Sequence, residues 1–133
     1  SVLVARELDI GHGHLICTDG SEKSLETVRK DAYLASRCEC PVSLISVALD
    51  VESKEEAKSY VETAKKELAA MDIEVVNAIT CVGTPVDEII DVGSDYSVIV
   101  LSDSGNRGLK RLIMGSVATK ILQESYTSVM IVK

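Results

Sequence analysis

No phenylalanine and no tryptophan occur among the 133 residues, and aromatic residues make up only 3% of the chain. Its core must therefore come from Val, Ile, Leu, Ala and Met, as in layered α/β domains whose central strands are buried on both faces. Hydrophobic residues still reach 46%, enough apolar surface for one full-sized domain without disulfides or metals. Positive charge is also scarce. Fourteen Lys and Arg against 21 Asp and Glu leave a net charge of −7, so no nucleic-acid partner is expected, because phosphate backbones are held by clustered Lys and Arg. No apolar run approaches the roughly 20 residues of a membrane span, and no charged n-region followed by an apolar h-region opens the chain. A cytoplasmic protein that makes no membrane contact is expected.

Cysteine and histidine are few: Cys17, Cys38, Cys40, Cys81, His12 and His14. Cys38-Glu39-Cys40 resembles half of a metal site, but the second ligand pair that structural zinc needs is not visible. Plain reduced thiols and no metal site are expected. Both histidines lie before or at the start of the first strand of the main domain, far from its C-terminal end, so Ser21, Ser104 and Ser116 have no convincing His–Asp partners. No Walker motif or G-x-G-x-x-G follows a strand. Gly11-His12-Gly13 precedes one and reads as a flexible connection.

What is present is an alternation of strand and helix patterns. His14–Thr18 is a short apolar run that stops at Asp19-Gly20-Ser21, a turn and helix start. Leu25, Val28, Ala32 and Ala35 then recur at helical spacing, and Pro41 opens a strand over Val42–Ala48. Ser53 and Glu56 form a capping-box pattern ahead of the stripe Ala57, Val61, Ala64, Leu68 and Met71. A third strand is expected over Ile73–Thr80, and Thr84-Pro85 opens a short helix ending near Gly93. A fourth strand (Ser97–Leu101), a loop, a last helix (Leu112–Glu124) and a fifth strand (Val129–Val132) complete the series. Strands separated by helices imply parallel pairing with right-handed crossovers, hence an open doubly wound sheet with helices on both faces. In such sheets ligands bind beyond the C-terminal strand ends, where strand order reverses.

Two features invite a sharper reading. After the fourth strand, the loop carrying Ser102-Asp103-Ser104-Gly105 passes Gly108 and enters a helix through Gly115-Ser116-Val117. Backbone N–H groups and the positive dipole end of a helix suit a phosphate, and glycine lets the backbone come close to it. The same glycines would serve equally as ordinary loop and cap residues. Second, residues 1–6 (Ser-Val-Leu-Val-Ala-Arg) match residues 128–133 (Ser-Val-Met-Ile-Val-Lys) in type at nearly every position. Either two Val-rich strands coincide, or residues 1–13 are an N-terminal extension whose strand echoes the last strand of a preceding copy of the unit in residues 14–133. The absence of an initiator Met agrees with a processed or excised chain.

Over residues 14–133 the sequence resembles the universal stress protein family. Four stretches carry the resemblance, in the family's order: Thr18-Asp19-Gly20-Ser21-Glu22-Lys23-Ser24; Leu44-Ile45-Ser46-Val47; Val82-Gly83-Thr84-Pro85-Val86-Asp87-Glu88-Ile89-Ile90; and Gly105 through Val117, similar to the phosphate loop G-x₂-G-x₉-G-[ST]. The resemblance implies a five-stranded parallel sheet of order 3-2-1-4-5, of the adenine nucleotide alpha hydrolase-like kind. It implies a binding set of Cys17, Thr18, Asp19, Val47, Leu101, Ser102, Gly105, Gly115, Ser116 and Val117. In that set the Asp19 region meets the nucleoside, the Val47 main chain meets the adenine, and Gly105, Gly115, Ser116 and Val117 hold the phosphates. The sequence departs from the pattern where Ser102 stands for the loop's first glycine, Asp103 adds negative charge, Ser46 replaces a usual His, and Thr127-Ser128 replaces a usual Pro.

The expected ligand is thus ATP or AMP, with or without Mg²⁺, held in a regulatory and non-metabolic role with at most very slow ATP hydrolysis. The alternative is a nucleotide-free dimerisation or interaction module of the same fold. A phospho-acceptor receiver domain is discarded, because the third strand ends in Thr80-Cys81-Val82 where that chemistry needs a carboxylate. An electron-transfer flavoprotein-like domain shares the topology but not the x₉ spacing with its Gly-Ser pair. The resemblance also implies a homodimer or tandem-domain pairing through the last strand, Val129–Val132, which is expected at a sheet edge, where unpaired backbone groups invite a second strand.

Overall fold

The spacing of apolar residues switches repeatedly between two and about 3.6 along the chain, and the backbone follows it. The computed structural model describes residues 2–4, 13–102 and 114–132. Within them the chain forms β1 (Val2–Val4), β2 (His14–Cys17), α1 (Glu22–Arg37), β3 (Val42–Ala48), a 3-10 turn (Val51–Ser53), α2 (Lys54–Ala69), β4 (Val75–Val82), α3 (Pro85–Gly93), β5 (Val98–Ser102), α4 (Met114–Glu124) and β6 (Ser128–Val132).

The sheet order is β1-β6-β5-β2-β3-β4. Strands β2 to β6 are all parallel to their neighbours, and numbered among themselves they follow the expected order 3-2-1-4-5. β1 lies outside this set and pairs antiparallel with β6. The last strand is therefore not at the sheet edge, where the sequence placed it; β1 covers it.

Alternation along each strand splits the core into two layers. Ile16, Val42, Leu44, Val98 and Val100 face Leu25, Val28, Ala32, Val61, Ala64 and Leu68 of α1 and α2. Leu15, Cys17, Ile45, Val47, Ile99, Leu101 and Val129 face Val86 and Ile89 of α3 and Ile121 of α4. β3 and β5 are buried at every residue, which is why Val, Ile and Leu dominate them and only small serines interrupt the runs. β4 is the opposite edge strand, so Val76 is exposed.

Local signals hold with a few differences. Helices α1 and α2 both end in a left-handed residue that is not glycine, Glu39 and Asp72. The amide of Cys40 returns to the Ala35 carbonyl at 2.9 Å, and that of Ile73 to Leu68 at 2.9 Å, the Schellman closure of a helix. Cys38-Glu39-Cys40 is thus a helix end, and all four thiols are free. The capping box does not form. Instead, Asp50 caps the 3-10 turn through the Ser53 amide (2.8 Å), and Ser53 makes no side-chain cap bond to α2. β4 starts at Val75 rather than Ile73, because the Schellman closure of α2 uses Ile73.

Candidate functional site

The site follows from topology. β2 and β5 lie side by side, with Leu15 opposite Ile99 and Ile16 opposite Val100. From β2 the chain moves outward to β3 and β4; it then returns to β5 and moves outward the other way to β6. Strand order reverses between β2 and β5, so the loops leaving their C-terminal ends diverge and leave a crevice.

The β2 lip is built by a hydroxyl and carboxylate network. Thr18 is tied to β3 by its amide (Ile45 carbonyl, 3.0 Å) and to α1 by its hydroxyl (Ser24 Oγ, 3.0 Å). Ser21 is the N-cap of α1; its Oγ accepts from the Ser24 amide at 3.1 Å and donates its own proton to Asp19 Oδ1 at 2.5 Å. The Ser21 amide donates to the same Oδ1 at 2.9 Å. One carboxylate oxygen of Asp19 is thereby doubly bonded inside the turn, while the other, Oδ2, is buried and has no hydrogen-bond partner among the described residues. Asp19 is only 2% exposed, and a buried acceptor left unpaired costs on the order of 1–3 kcal/mol, more when charged. Such a group asks for a donor from a ligand or from a neighbouring segment.

The β5 lip shows the same deficit. Ser102, the last residue of β5, is fully buried and its Oγ has no partner among the described residues. Alternation along the strand puts its side chain on the same face as Val98 and Val100, toward α1 and α2. Leu101 packs toward the α3 and α4 layer with Cys17. Burial first, and Asp19 second, push the Cys17 thiol far above its ordinary range, so it stays neutral and serves as core. On the other side of β2, Val47 is buried near the end of β3, opposite Cys81 of β4.

Of the remaining expected residues, Gly115 and Ser116 lie in the opening turn of α4, and Val117 is half-buried against the α3 and α4 layer. Gly105, together with Asp103, Gly108, Arg107, Lys110 and Arg111, lies outside the described residues. Cys17, Thr18 and Asp19 therefore converge with Leu101 and Ser102 at the reversal point. Val47 flanks them one strand away, and α4 opens on the β5 and β6 side.

Tyr60 was not legible as a site residue in the sequence. Its ring, on α2, lies over the Asp19-Gly20 turn, and a Cβ on Gly20 would sit 2.4 Å from two ring carbons. Gly20 also holds a φ of +82°, a conformation that costs an L-residue roughly 1–2 kcal/mol. The Tyr60 hydroxyl donates to Glu56. Burial, and secondarily Asp19, raise its ionisation above the usual tyrosine range. The available signal was spacing: Tyr60 falls three residues after Ala57 and four before Ala64, at the edge of the buried stripe. His14 sits at the opposite end of β2 from the Asp19-Gly20 turn, where its Nδ1 meets the buried Asp31 Oδ2 at 2.7 Å.

Comparison with known proteins agrees with this geometry. Residues 14–133 match the universal stress protein family. The chain is 36% identical over 81 residues to universal stress protein MJ0577 of Methanocaldococcus jannaschii; this alignment covers 59% of the chain and 49% of that protein's length. It is 26% identical over 144 residues to universal stress protein YxiE of Bacillus subtilis, covering 90% of the chain and 97% of the relative. Among solved structures, MJ0577 superposes with a TM-score of 0.74 at 27% identity, over 94% of this chain and 97% of that one. A universal stress protein from Archaeoglobus fulgidus in complex with dAMP gives 0.74 at 22% identity, over 94% and 100%. A universal stress protein in complex with cAMP gives 0.73 at 20% identity, over 94% of this chain and 98% of that one. Reversal point, strand order and matched residues agree: this chain belongs to the universal stress protein family.

Proposed function

We propose that the chain binds an adenine nucleotide, AMP or ATP, across the C-terminal ends of β2 and β5, and that occupancy is regulatory rather than metabolic. The observation that carries this reading is the buried, unpartnered Oδ2 of Asp19 at the reversal point. A ribose hydroxyl is the donor it lacks, the role an acidic residue takes in many nucleotide-binding α/β folds. On the β5 side, the first turn of α4 carries Gly115 and Ser116, whose backbone amides suit a phosphate. Two structures of the same fold, described as complexes with cAMP and dAMP, support the same ligand class. The described residues offer no nucleophile–base pair at the crevice: Ser21 gives its proton to Asp19, and His14 is engaged at the far end of β2. This supports binding rather than rapid turnover. Four free thiols suit the reducing cytoplasm, the setting we propose.

Titration calorimetry with AMP, ATP and ATP plus Mg²⁺ tests the reading. Saturable one-to-one binding is expected, tighter for adenine than for pyrimidine nucleotides. No heat and no retention in equilibrium dialysis at high-micromolar ligand would leave the nucleotide-free interaction module as the function of this fold.

A further inference from the structure

The Cys38-Glu39-Cys40 stretch at the end of α1 is a motif that nucleotide binding leaves unused. Its backbone is tied to the last turn of the helix. The Cys38 amide bonds the Ala35 carbonyl at 3.1 Å, that of Glu39 the Ser36 carbonyl at 3.2 Å, and that of Cys40 the Ala35 carbonyl at 2.9 Å. Between the two cysteines Glu39 holds a φ of +61°, and the side chain of Cys40 folds back until its Sγ lies 3.9 Å from the Cys38 carbonyl oxygen. Cys38 is exposed and Cys40 half-buried, so a small ion can reach the pair from solvent. Burial first, then Cys38 through its charge and a side-chain hydrogen bond, raises the Cys40 thiol above its ordinary range.

What such a pair can hold follows from ligand count. Structural zinc and iron–sulfur clusters take four ligands, and no group of three or more His, Cys, Asp or Glu suited to a metal occurs among the described residues. Thiolates also select the soft ion copper(I), which two of them satisfy. A free thiolate is disfavoured here, because the negative end of the α1 dipole lies beside it and burial opposes charge at Cys40. That makes the pair a poor nucleophile but leaves a bound cation favoured. We propose that Cys38 and Cys40 form a two-coordinate site for copper(I), at the opposite end of α1 from the nucleotide crevice. Binding replaces two S–H bonds by two S–Cu bonds and releases two protons; neither copper nor sulfur changes oxidation state.

The test titrates the reduced full chain, under nitrogen, into copper(I) held by the chromophoric chelator bicinchoninate. One copper(I) per chain is expected to leave the chelator. Cys38→Ser or Cys40→Ser is expected to weaken the affinity roughly 100-fold or more, because the second thiolate acts at an effective concentration on the order of millimolar. Cys81→Ser, on β4, is expected to leave it unchanged. X-ray absorption of the loaded chain is expected to show two sulfur neighbours around the metal. One equivalent of silver(I), which shares the preference for two thiolates, is expected to raise the Tm, because the folded turn keeps the thiols together and the unfolded chain does not. Both of these measurements use the unmodified chain, so they stand even where a serine variant fails to fold. Copper(I) held equally well by either single variant overturns the proposal. So do three or more sulfur neighbours around the metal, or a Tm that one equivalent of silver(I) leaves unchanged.

Discussion

Asp19→Asn separates ligand binding from folding at the reversal point. The substitution keeps the shape of the side chain and removes its charge. Oδ1 must continue to accept from the Ser21 amide at 2.9 Å and from Ser21 Oγ. An amide NH₂ cannot accept the N–H bond, so the side chain cannot flip, and the new NH₂ must stand where Oδ2 is buried. Two effects on stability oppose each other. The bonds to Oδ1 weaken because their acceptor is no longer ionised, while the cost of burying an unpaired charge disappears. The net change in unfolding free energy is expected to lie within about 1 kcal/mol of zero. Affinity moves one way only. A charge-assisted bond from a ribose hydroxyl is worth about 1.5–3 kcal/mol; the NH₂ can still donate to that hydroxyl, so the lower part of the range applies. About 1.5–2 kcal/mol corresponds to roughly a 10- to 30-fold weaker dissociation constant for AMP. Calorimetry on the variant reads the affinity, and urea unfolding reads the stability. Repeating the titrations with 2′-deoxy and 3′-deoxy AMP locates the donor, since the penalty should shrink for the ligand that lacks the hydroxyl in question. Affinity within twofold of the unmodified chain would refute the reasoning, as would a penalty identical for all three ligands.

Three further outcomes follow from the same network. Ser102→Ala removes a buried hydroxyl that has no partner among the described residues; the unliganded protein should gain about 1 kcal/mol, a rise of roughly 3–5 °C in Tm, and scanning calorimetry showing a fall would refute it. Gly20→Ala meets both the +82° φ and the Tyr60 ring, and should cost about 2 kcal/mol or more in urea unfolding; adding Tyr60→Ala should recover the steric part but not the backbone part, so fully additive losses would contradict the contact. Tyr60 ionises above the ordinary tyrosine value of about 10 in the folded chain because of burial, then Asp19. Above that pH the unfolded state therefore holds fewer protons than the folded one, and stability falls as pH rises. Tyr60→Phe should flatten that fall, and an unchanged slope would show that the ring is not shielded.

Much of the architecture was legible because each element carries its own period. β3 matched its expected bounds of Val42–Ala48, and the other central strands moved by a residue or two. Full burial on both faces leaves a short run dominated by Val, Ile and Leu, and its length together with Pro41 ahead of it marks it as a strand. Ends were less legible wherever a tertiary bond competed with a local one. Ser53 stands at the N-cap position of α2 without a side-chain cap bond while its amide is held by Asp50, and Ile73 was recruited by the end of α2 rather than by β4. The convergence of Asp19 with Ser102 came from strand order, which the family resemblance supplied and periodicity alone could not.

Residues close along the chain specify the strand–helix series, the apolar stock of a core without Phe or Trp, and the polar turn Thr18-Asp19-Gly20-Ser21. Contacts made on folding settle which oxygen of Asp19 is left without a partner among the described residues, that Tyr60 covers Gly20, and that β1 pairs along β6. The Ser21 bonds to Oδ1 are local, but the burial that leaves Oδ2 without a partner arises only in the folded chain; Tyr60 reaches Gly20 from α2, and β1 meets β6 only when the two ends of the chain come together. An echo between residues 1–6 and 128–133 can be read off the sequence, but its register exists only in the sheet.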